Sequence, residues 1–292
     1  MSTITKAVLA CGGWSTRFLP TTKSYAKQLL PVLSKPQILY ALDECISADI
    51  TEICIIHRDH ELTINQFFNP NPELDSYLSS TGKEKYMSDY NRILGKINKL
   101  IFLPQTNDFP YGNGSPILVA QNFIDNKPFA YFYADDFIFE NETGNYLKKI
   151  INTFESETAD AVCGVTIASL SDINKLSSVK YSQNNQMESV IEKPEPENAP
   201  SNHAMIGRFV FNPQIIDILK NTATTRGELW LTDAVNTLAQ DKSKKVLTEI
   251  IPENSQWMTT GDPLNWLKAN ITVGLKDPEI GPKIKDFIKN IK

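Results

Sequence analysis

Continuous apolar runs at residues 6–9, 52–56, 99–103 and 129–133 alternate along the first half of the chain with stretches that read as helical, at 36–48, in a long region between the second and third runs, and at 117–123. That rhythm is the pattern of βαβ units laid around a parallel sheet. The run Phe129, Ala130, Tyr131, Phe132, Tyr133 is apolar or aromatic throughout, as a central strand covered on both faces requires, and it exits into Asp135 and Asp136. From about residue 160 the pattern changes. Segments 161–168, 179–182, 187–192 and 204–211 read as strands of an antiparallel section, with Asn184 and Asn185 as a hairpin turn between the second and third. Helices follow from Pro213, and a helical C-terminus is expected over 263–292. No glycine- or serine-rich linker interrupts the chain. The expectation is an α/β protein of one domain, 1–292, with a first part to about 160, a smaller antiparallel lobe over about 161–262, and C-terminal helices.

The first strand runs straight into Gly12, Gly13, Trp14, Ser15, Thr16 and Arg17, with Lys27 ten residues on. Small residues let a backbone approach phosphate oxygens, and the two cations supply charge for a polyanionic ligand. Taken alone, a glycine pair after a strand is an ordinary tight turn. No Gly-Lys-Ser or Gly-Lys-Thr follows it, so it is not a Walker A loop, and the absence of Gly-x-Gly-x-x-Gly argues against a dinucleotide-binding dehydrogenase. Pro20 and Pro31 prevent one continuous helix, so the segment between them is expected to wrap as an extended arm that folds Arg17 and Lys27 over a ligand. In open α/β sheets ligands sit beyond the carboxyl ends of the strands, where Asp135 and Asp136 are placed to hold a hard cation such as magnesium.

The 292 residues are 41% hydrophobic and 22% charged, with a formal net charge of -5. That balance gives no electrostatic footprint for a nucleic-acid polymer and favours small anionic ligands bound by local cations. Cys11, Cys45, Cys54 and Cys163 show no CxxC pairing and read as reduced thiols. With no apolar run of membrane-spanning length and no signal-peptide pattern, a cytoplasmic protein without membrane contact is expected.

In joint order, several motifs resemble bacterial nucleotidyltransferases of the UTP-glucose-1-phosphate uridylyltransferase family. They are Gly13-x-x-Thr16-Arg17-Phe18-Leu19-Pro20, Lys27 before Leu30-Pro31, Lys35-Pro36 with Tyr40, Gln105 before Gly112-x-Gly114, Asp135-Asp136, Glu192-Lys193-Pro194, Pro200-Ser201-Asn202-x-Ala204 with Gly207-Arg208-Phe209, and Gly227-Glu228-x-x-Leu231-Thr232-Asp233-Ala234. The resemblance spans nearly the whole chain. It implies a Rossmann-like, glycosyltransferase A-like fold with a mixed central sheet flanked by helices and a smaller antiparallel sugar-binding lobe. It also implies attack of a sugar 1-phosphate on UTP, with Mg2+ as cofactor, UTP and glucose 1-phosphate as ligands, and assembly as a homodimer or homotetramer. By the same resemblance Arg17, Lys27 and Lys193 are catalytic, and Ala10, Cys11, Gly12, Gly13, Gln28, Gln105, Gly112, Gly114 and Asp135 contact the nucleotide. Glu192, Lys193, Gly207 and Ser178 face the sugar, and Asp135 binds the metal.

The chain departs from the family at several points. Ser15 stands where a second glycine is usual, and Gln28 replaces an acidic residue. Residues 106–111 are about two longer than usual, and Ser177-Ser178-Val179 replaces Tyr-Gly-Val. Thr259 stands where an aspartate supplies a second metal ligand in related enzymes, which weakens magnesium binding unless phosphate oxygens and water complete the shell. Three readings are therefore open: the uridylyltransferase, a catalytically weak paralogue that binds nucleotide or UDP-sugar as a regulatory partner, or a nucleotidyltransferase for another nucleotide or sugar, such as dTTP. Elsewhere, His57, Arg58, Asp59 and His60 read as a strand exit, Asp233 as a helix-start residue, Asp262 as the cap of the helix from Pro263, and Lys283, Lys285, Lys289 and Lys292 as a solvated helical face.

Overall fold

The computed structural model describes residues 3–169, 172–182 and 184–291; Lys292, the expected last residue of the C-terminal helix, lies outside them. Strand β1 (Lys6–Cys11) is followed by the short pair β2 (Pro31–Val32) and β3 (Lys35–Pro36), helix α1 (Gln37–Ser47) and β4 (Glu52–Arg58). The expected helical stretch before the next strand resolves into α2 (Thr63–Phe68), α3 (Pro72–Thr81) and α4 (Ser88–Leu94). The Asn71 side chain caps α3 by accepting from the Leu74 amide, and Gly82 ends it at φ 65. Next come β5 (Lys99–Gln105), α5 (Ser115–Val119), α6 (Gln121–Ile124), β6 (Phe129–Tyr133), β7 (Asp136–Phe139) and α7 (Asn145–Ser156). The remainder comprises β8 (Ala161–Ile167), β9 (Ser177–Tyr181), β10 (Met187–Glu192), β11 (His203–Phe211), α8 (Ile215–Asn221), α9 (Leu231–Gln240), β12 (Val246–Ile250), β13 (Gln256–Thr259), α10 (Pro263–Lys276) and α11 (Gly281–Asn290).

One nine-stranded sheet carries the fold. Strands β5, β4, β1 and β6 run parallel, as the apolar runs require, and β11 joins β6 antiparallel. Beyond it β11 pairs with β8 and β9, β9 pairs with β10, and β12 lies parallel to β8. Asn185 turns at φ 56, and the Ser182 amide reaches the Gln186 carbonyl at 2.8 Å, which closes the expected hairpin. Ala7 and Leu9 enter one apolar layer with Leu39, Leu42, Ile150 and Phe154, and Val8 enters the other with Ile117, Phe123, Leu219 and Val235. Ile53, Ile55 and Ile56 are wholly buried. Burial of each contributes roughly 1.5–3 kcal/mol, Ile53 and Ile55 to the first layer and Ile56 to the second, so β4 stabilises both faces of the sheet.

Two local features differ from expectation. The segment between Pro20 and Pro31 is not extended. It contains the single 3-10 turns Thr21–Lys23 and Lys27–Leu29, preceded by a third at Thr16–Phe18, because amides bond back three residues, as Lys23 does to Pro20 and Leu30 to Lys27. In addition, β7 and β13 form a separate two-stranded ribbon that sets Thr259 opposite Asp136.

Candidate active site

Strand β1 ends at Cys11, and the chain then turns through Gly12 to Ser15 above the carboxyl edge of the sheet. Ser15 sits at φ 55, ψ 34, a left-handed conformation that glycine would occupy at less cost. The turn is held because Thr22 Oγ1 donates to the Ser15 carbonyl at 2.7 Å and Ser15 Oγ donates to the Gly13 carbonyl at 3.2 Å. Gln105, at the end of β5, crosses toward this loop: a Cβ on Gly12 would lie 2.8 Å from Gln105 Oε1. Trp14 is exposed, and the Arg58 guanidinium stacks 4.5 Å from its ring centroid.

Lys27, carried on the last 3-10 turn, places Nζ 2.5 Å from Asp135 Oδ2. Burial disfavours both charges, but each holds the other ionised: the Lys27 ammonium sits above its usual range and the Asp135 carboxyl below its own. Asp136 points the other way. Burial and the neighbouring Asp135 push it up to about 7, against the opposing Arg208 guanidinium. A Cβ on Gly261 would lie 3.2 Å from Asp135 Oδ2, 3.6 Å from Thr259 Oγ1 and 3.9 Å from Arg17 Nη1, so one carboxylate, one hydroxyl and one guanidinium surround a single point. No cluster of three or more His, Cys, Asp and Glu side chains able to hold a metal forms among the described residues, His57 to His60 included.

At the other end of the cleft, Glu192 closes β10 and accepts hydrogen bonds from Ser177 Oγ at 2.5 Å and Thr232 Oγ1 at 2.6 Å. Lys193 turns out at φ 44, with Nζ 3.5 Å from Glu192 Oε1 and 5.6 Å from the Trp230 ring centroid. The Trp230 indole donates to Glu228 Oε2 at 2.9 Å. The loop 111–114 lies directly on 228–230, with the Leu229 amide bonded to the Tyr111 carbonyl at 2.7 Å. Gly112 is required there: at φ 135, any Cβ would meet the Leu229 carbonyl oxygen at 2.3 Å.

A cleft of about 270 Å³ gathers Ala10, Gly12, Gly13, Lys27, Gln28, Gln105, Gly112, Asp135, Glu192 and Lys193 from the sequence-derived set. Five others are placed elsewhere. Arg17 is at the Asp135–Thr259 end. Cys11 is buried, and burial pushes its thiol up. Gly114 packs on Leu219 and Leu229, and Gly207 makes room for the Tyr133 ring. Ser178 is wholly buried, its hydroxyl given to the Ser201 carbonyl at 2.7 Å. Tyr111, Asn113, Pro116, Tyr133, Glu228 and Trp230 also line the cleft. Sequence reasoning assigned them no contact, although Asn113 stands between the two glycines already singled out. Asn113 joins the walls by donating to Tyr133 OH at 2.9 Å and accepting from the Leu231 amide at 2.8 Å. A larger groove, about 560 Å³, lies between α8 and α9; it is lined by Asp233, read as a helix-start residue, and by none of the residues assigned to the site.

A cleft at the carboxyl ends of parallel strands, with a glycine loop at one side and a cation–carboxylate pair at the centre, defines a nucleotide-handling α/β protein. Residues 6–274 match the family described as nucleotidyl transferase, and the chain belongs to that family. The UTP–glucose-1-phosphate uridylyltransferase of Staphylococcus epidermidis is 33% identical, over 100% of this chain and 99% of the relative. That of Streptococcus pneumoniae serotype 4 is 31% identical over 98% and 96%. A UTP-bound UGPase from Acinetobacter baumannii superposes with a TM-score of 0.86 at 29% identity, covering 99% of this chain and all of that one. A UDP-glucose pyrophosphorylase complexed with UDP-glucose gives 0.83 at 25% identity, covering 94% and 100%.

Proposed function

We propose that this protein transfers the uridylyl group of UTP to glucose 1-phosphate, releasing pyrophosphate and forming UDP-glucose. The observation that carries the reading is the Lys27–Asp135 pair at the centre of a cleft with Gly12, Gly13 and Gln105 at one end and Glu192 and Lys193 at the other. Full-length similarity to uridylyltransferases supports it. A phosphate oxygen of glucose 1-phosphate forms the new bond to the α-phosphorus while the bond to pyrophosphate breaks in line, so the protein has charges to align rather than covalent chemistry to perform. Arg17 and Lys27 neutralise the triphosphate, and Lys193 brings the attacking phosphate to it. Gln105 reads the pyrimidine edge with its amide, against the backbone of Ala10, Cys11, Gly12 and Gly13, with Gln28, Gly112 and Gly114 shaping that wall. Glu192 receives sugar hydroxyls, Trp230 forms the apolar wall beside it, and Ser178 and Gly207 support the pocket from behind.

The donor set at Asp135 fits magnesium, a hard ion content with one carboxylate, a neutral Thr259 oxygen, phosphate oxygens and water. When bound there it supplies further charge neutralisation on the phosphates. Thr259→Asp is expected to lower the magnesium concentration needed for half-maximal activity by about tenfold, by adding a second anionic donor. Superimposable magnesium titrations of the two proteins would refute the assignment of Thr259 to the metal.

The division of labour places the nucleotide on residues to about 160, the sugar on about 161–262 and assembly on the C-terminal helices. The exposed Leu264, Leu267, Phe287 and Ile288 on α10 and α11 favour a homodimer or homotetramer. Among the described residues no helix is long and apolar enough to cross a membrane, in keeping with a cytoplasmic enzyme.

The test is pyrophosphate release with UTP, magnesium and glucose 1-phosphate, beside dTTP, other sugar 1-phosphates and Asp135→Ala. Release with UTP and glucose 1-phosphate, lost in the variant, is the expected result. Thr259, a hydroxyl where a second carboxylate would strengthen the site, favours one competing reading, a nucleotide-binding regulatory paralogue. Silence with every substrate pair despite measurable UTP binding would establish that reading instead.

A further inference from the structure

Arg208 is wholly buried, yet none of the roles above uses it. It lies in β11 where the register with β8 shifts between Met205 and Phe209, an irregularity of the kind that re-aims side chains beside active sites. All five guanidinium donors are matched. Nε and Nη2 donate to Glu44 Oε2 and Oε1, each at 2.7 Å, so the carboxylate from α1 fixes the plane of the fork. Nη1 reaches the Gly207 carbonyl at 2.7 Å and the Tyr133 carbonyl at 3.4 Å, and Nη2 reaches the Asp136 carbonyl at 2.9 Å.

Tyr133 and Asp136 bracket the two-residue turn that carries Asp135. The Asp135 carbonyl is gripped separately by the Thr260 amide at 2.9 Å and Thr260 Oγ1 at 2.6 Å. Glu44 Oε1 also accepts from the Ile138 amide at 3.0 Å, which ties α1 to β7 just beyond the turn. A buried ion pair adds little stability over apolar residues of the same volume. A planar fork with donors in fixed directions does what an apolar side chain or a lysine cannot, since it clamps two carbonyls at set positions.

We propose that Arg208, oriented by Glu44 and assisted by Thr260, is a positioning residue that sets where the Asp135 carboxylate stands toward Lys27 and the triphosphate. The proposal rests on the uridylyltransferase reading for its kinetic consequence. Its geometric content is independent, because it concerns the turn that carries Asp135.

Arg208→Lys retains a cation for Glu44 and loses the fork, and Thr260→Val removes the hydroxyl grip at nearly constant volume. UTP affinity is measured by calorimetry in chelator and in saturating magnesium, together with kcat, the KM for glucose 1-phosphate and the melting temperature of the full chain. Both variants are expected to hold UTP in chelator as the parent does, and to lose about tenfold of the magnesium-dependent gain in UTP affinity and at least about tenfold in kcat, since small misplacements at a reacting centre are costly. KM for glucose 1-phosphate stays within about threefold, because no sugar contact is removed. A lower melting temperature with kcat and the magnesium gain unchanged would overturn the proposal and leave Arg208 a stability residue. Should Arg208→Lys fail to fold, Thr260→Val decides by the same readouts. A parent that binds UTP equally with and without magnesium also overturns it. A parent that makes no UDP-glucose but shows the magnesium gain, lost in the variants, sinks the functional reading and upholds the positioning.

Discussion

Lys27→Ala is expected to lower kcat for UDP-glucose formation by about a thousandfold, the scale for losing a preorganised charge at a centre where negative charge develops. Three features support an effect of that size. Lys27 Nζ already lies 2.5 Å from Asp135, at the centre of the cleft, so it has no large rearrangement to make. Its ammonium is held charged by Asp135 and Asp136 in spite of burial. Nor is there a second lysine among the cleft-lining residues at that end to replace it, since the other one, Lys193, stands beside Glu192. The fold should survive, because Lys27 sits on a single 3-10 turn outside the main sheet and the Asp135 carboxylate keeps the favourable influence of Arg17. Steady-state turnover and far-UV circular dichroism on the same preparation check both parts. Near-normal turnover in a folded variant would remove Lys27 from the mechanism.

Glu44→Ala is expected to destabilise the protein by about 3–5 kcal/mol, the cost of leaving a buried charge without its partner. Both members of the Arg208–Glu44 pair are almost fully buried, with 0% and 2% of their side chains exposed, so water cannot replace the lost carboxylate. The change also strips the Ile138 amide of its acceptor. Urea unfolding of parent and variant measures the difference. A loss below about 1 kcal/mol would show that the interior tolerates an unpaired guanidinium, contrary to what burial of a charge costs. Glu44→Gln, which keeps an acceptor oxygen, should lose less than Glu44→Ala.

How far the chain was legible depends on how local each signal is. Strands β1, β4 and β6 were readable because strands buried on both faces must be continuously apolar, and 129–133 was located to the residue, while the partly buried edge strand β5 was readable from its apolar run at 100–103. Asp262 was legible as a cap for the same reason: its carboxylate accepts from the Asn265 amide three residues away. Strands β7 and β13 were not. Each has four residues and pairs only with the other, so neither carries a periodicity of its own and the pairing exists only after folding. In the site, the glycine loop and the Asp135–Asp136 exit were visible as local patterns, whereas the Lys27–Asp135 bond joins residues 108 apart. Tyr133 read as core because its neighbours are core. Trp230 and Glu228 reach the cleft through the contact of their loop with Tyr111, which no spacing announces.

The ribbon of β7 and β13 also bears on when a newly made chain becomes competent. Synthesis delivers the glycine loop, Lys27, Asp135 and the parallel strands β1, β4, β5 and β6 first. Thr259 and Thr260, which stand over Asp136 and hold the Asp135 carbonyl, emerge more than a hundred residues later. A ribosome-bound chain would thus own the cations and the carboxylate long before the element that fixes their geometry, and activity would begin only after that element has emerged and folded back.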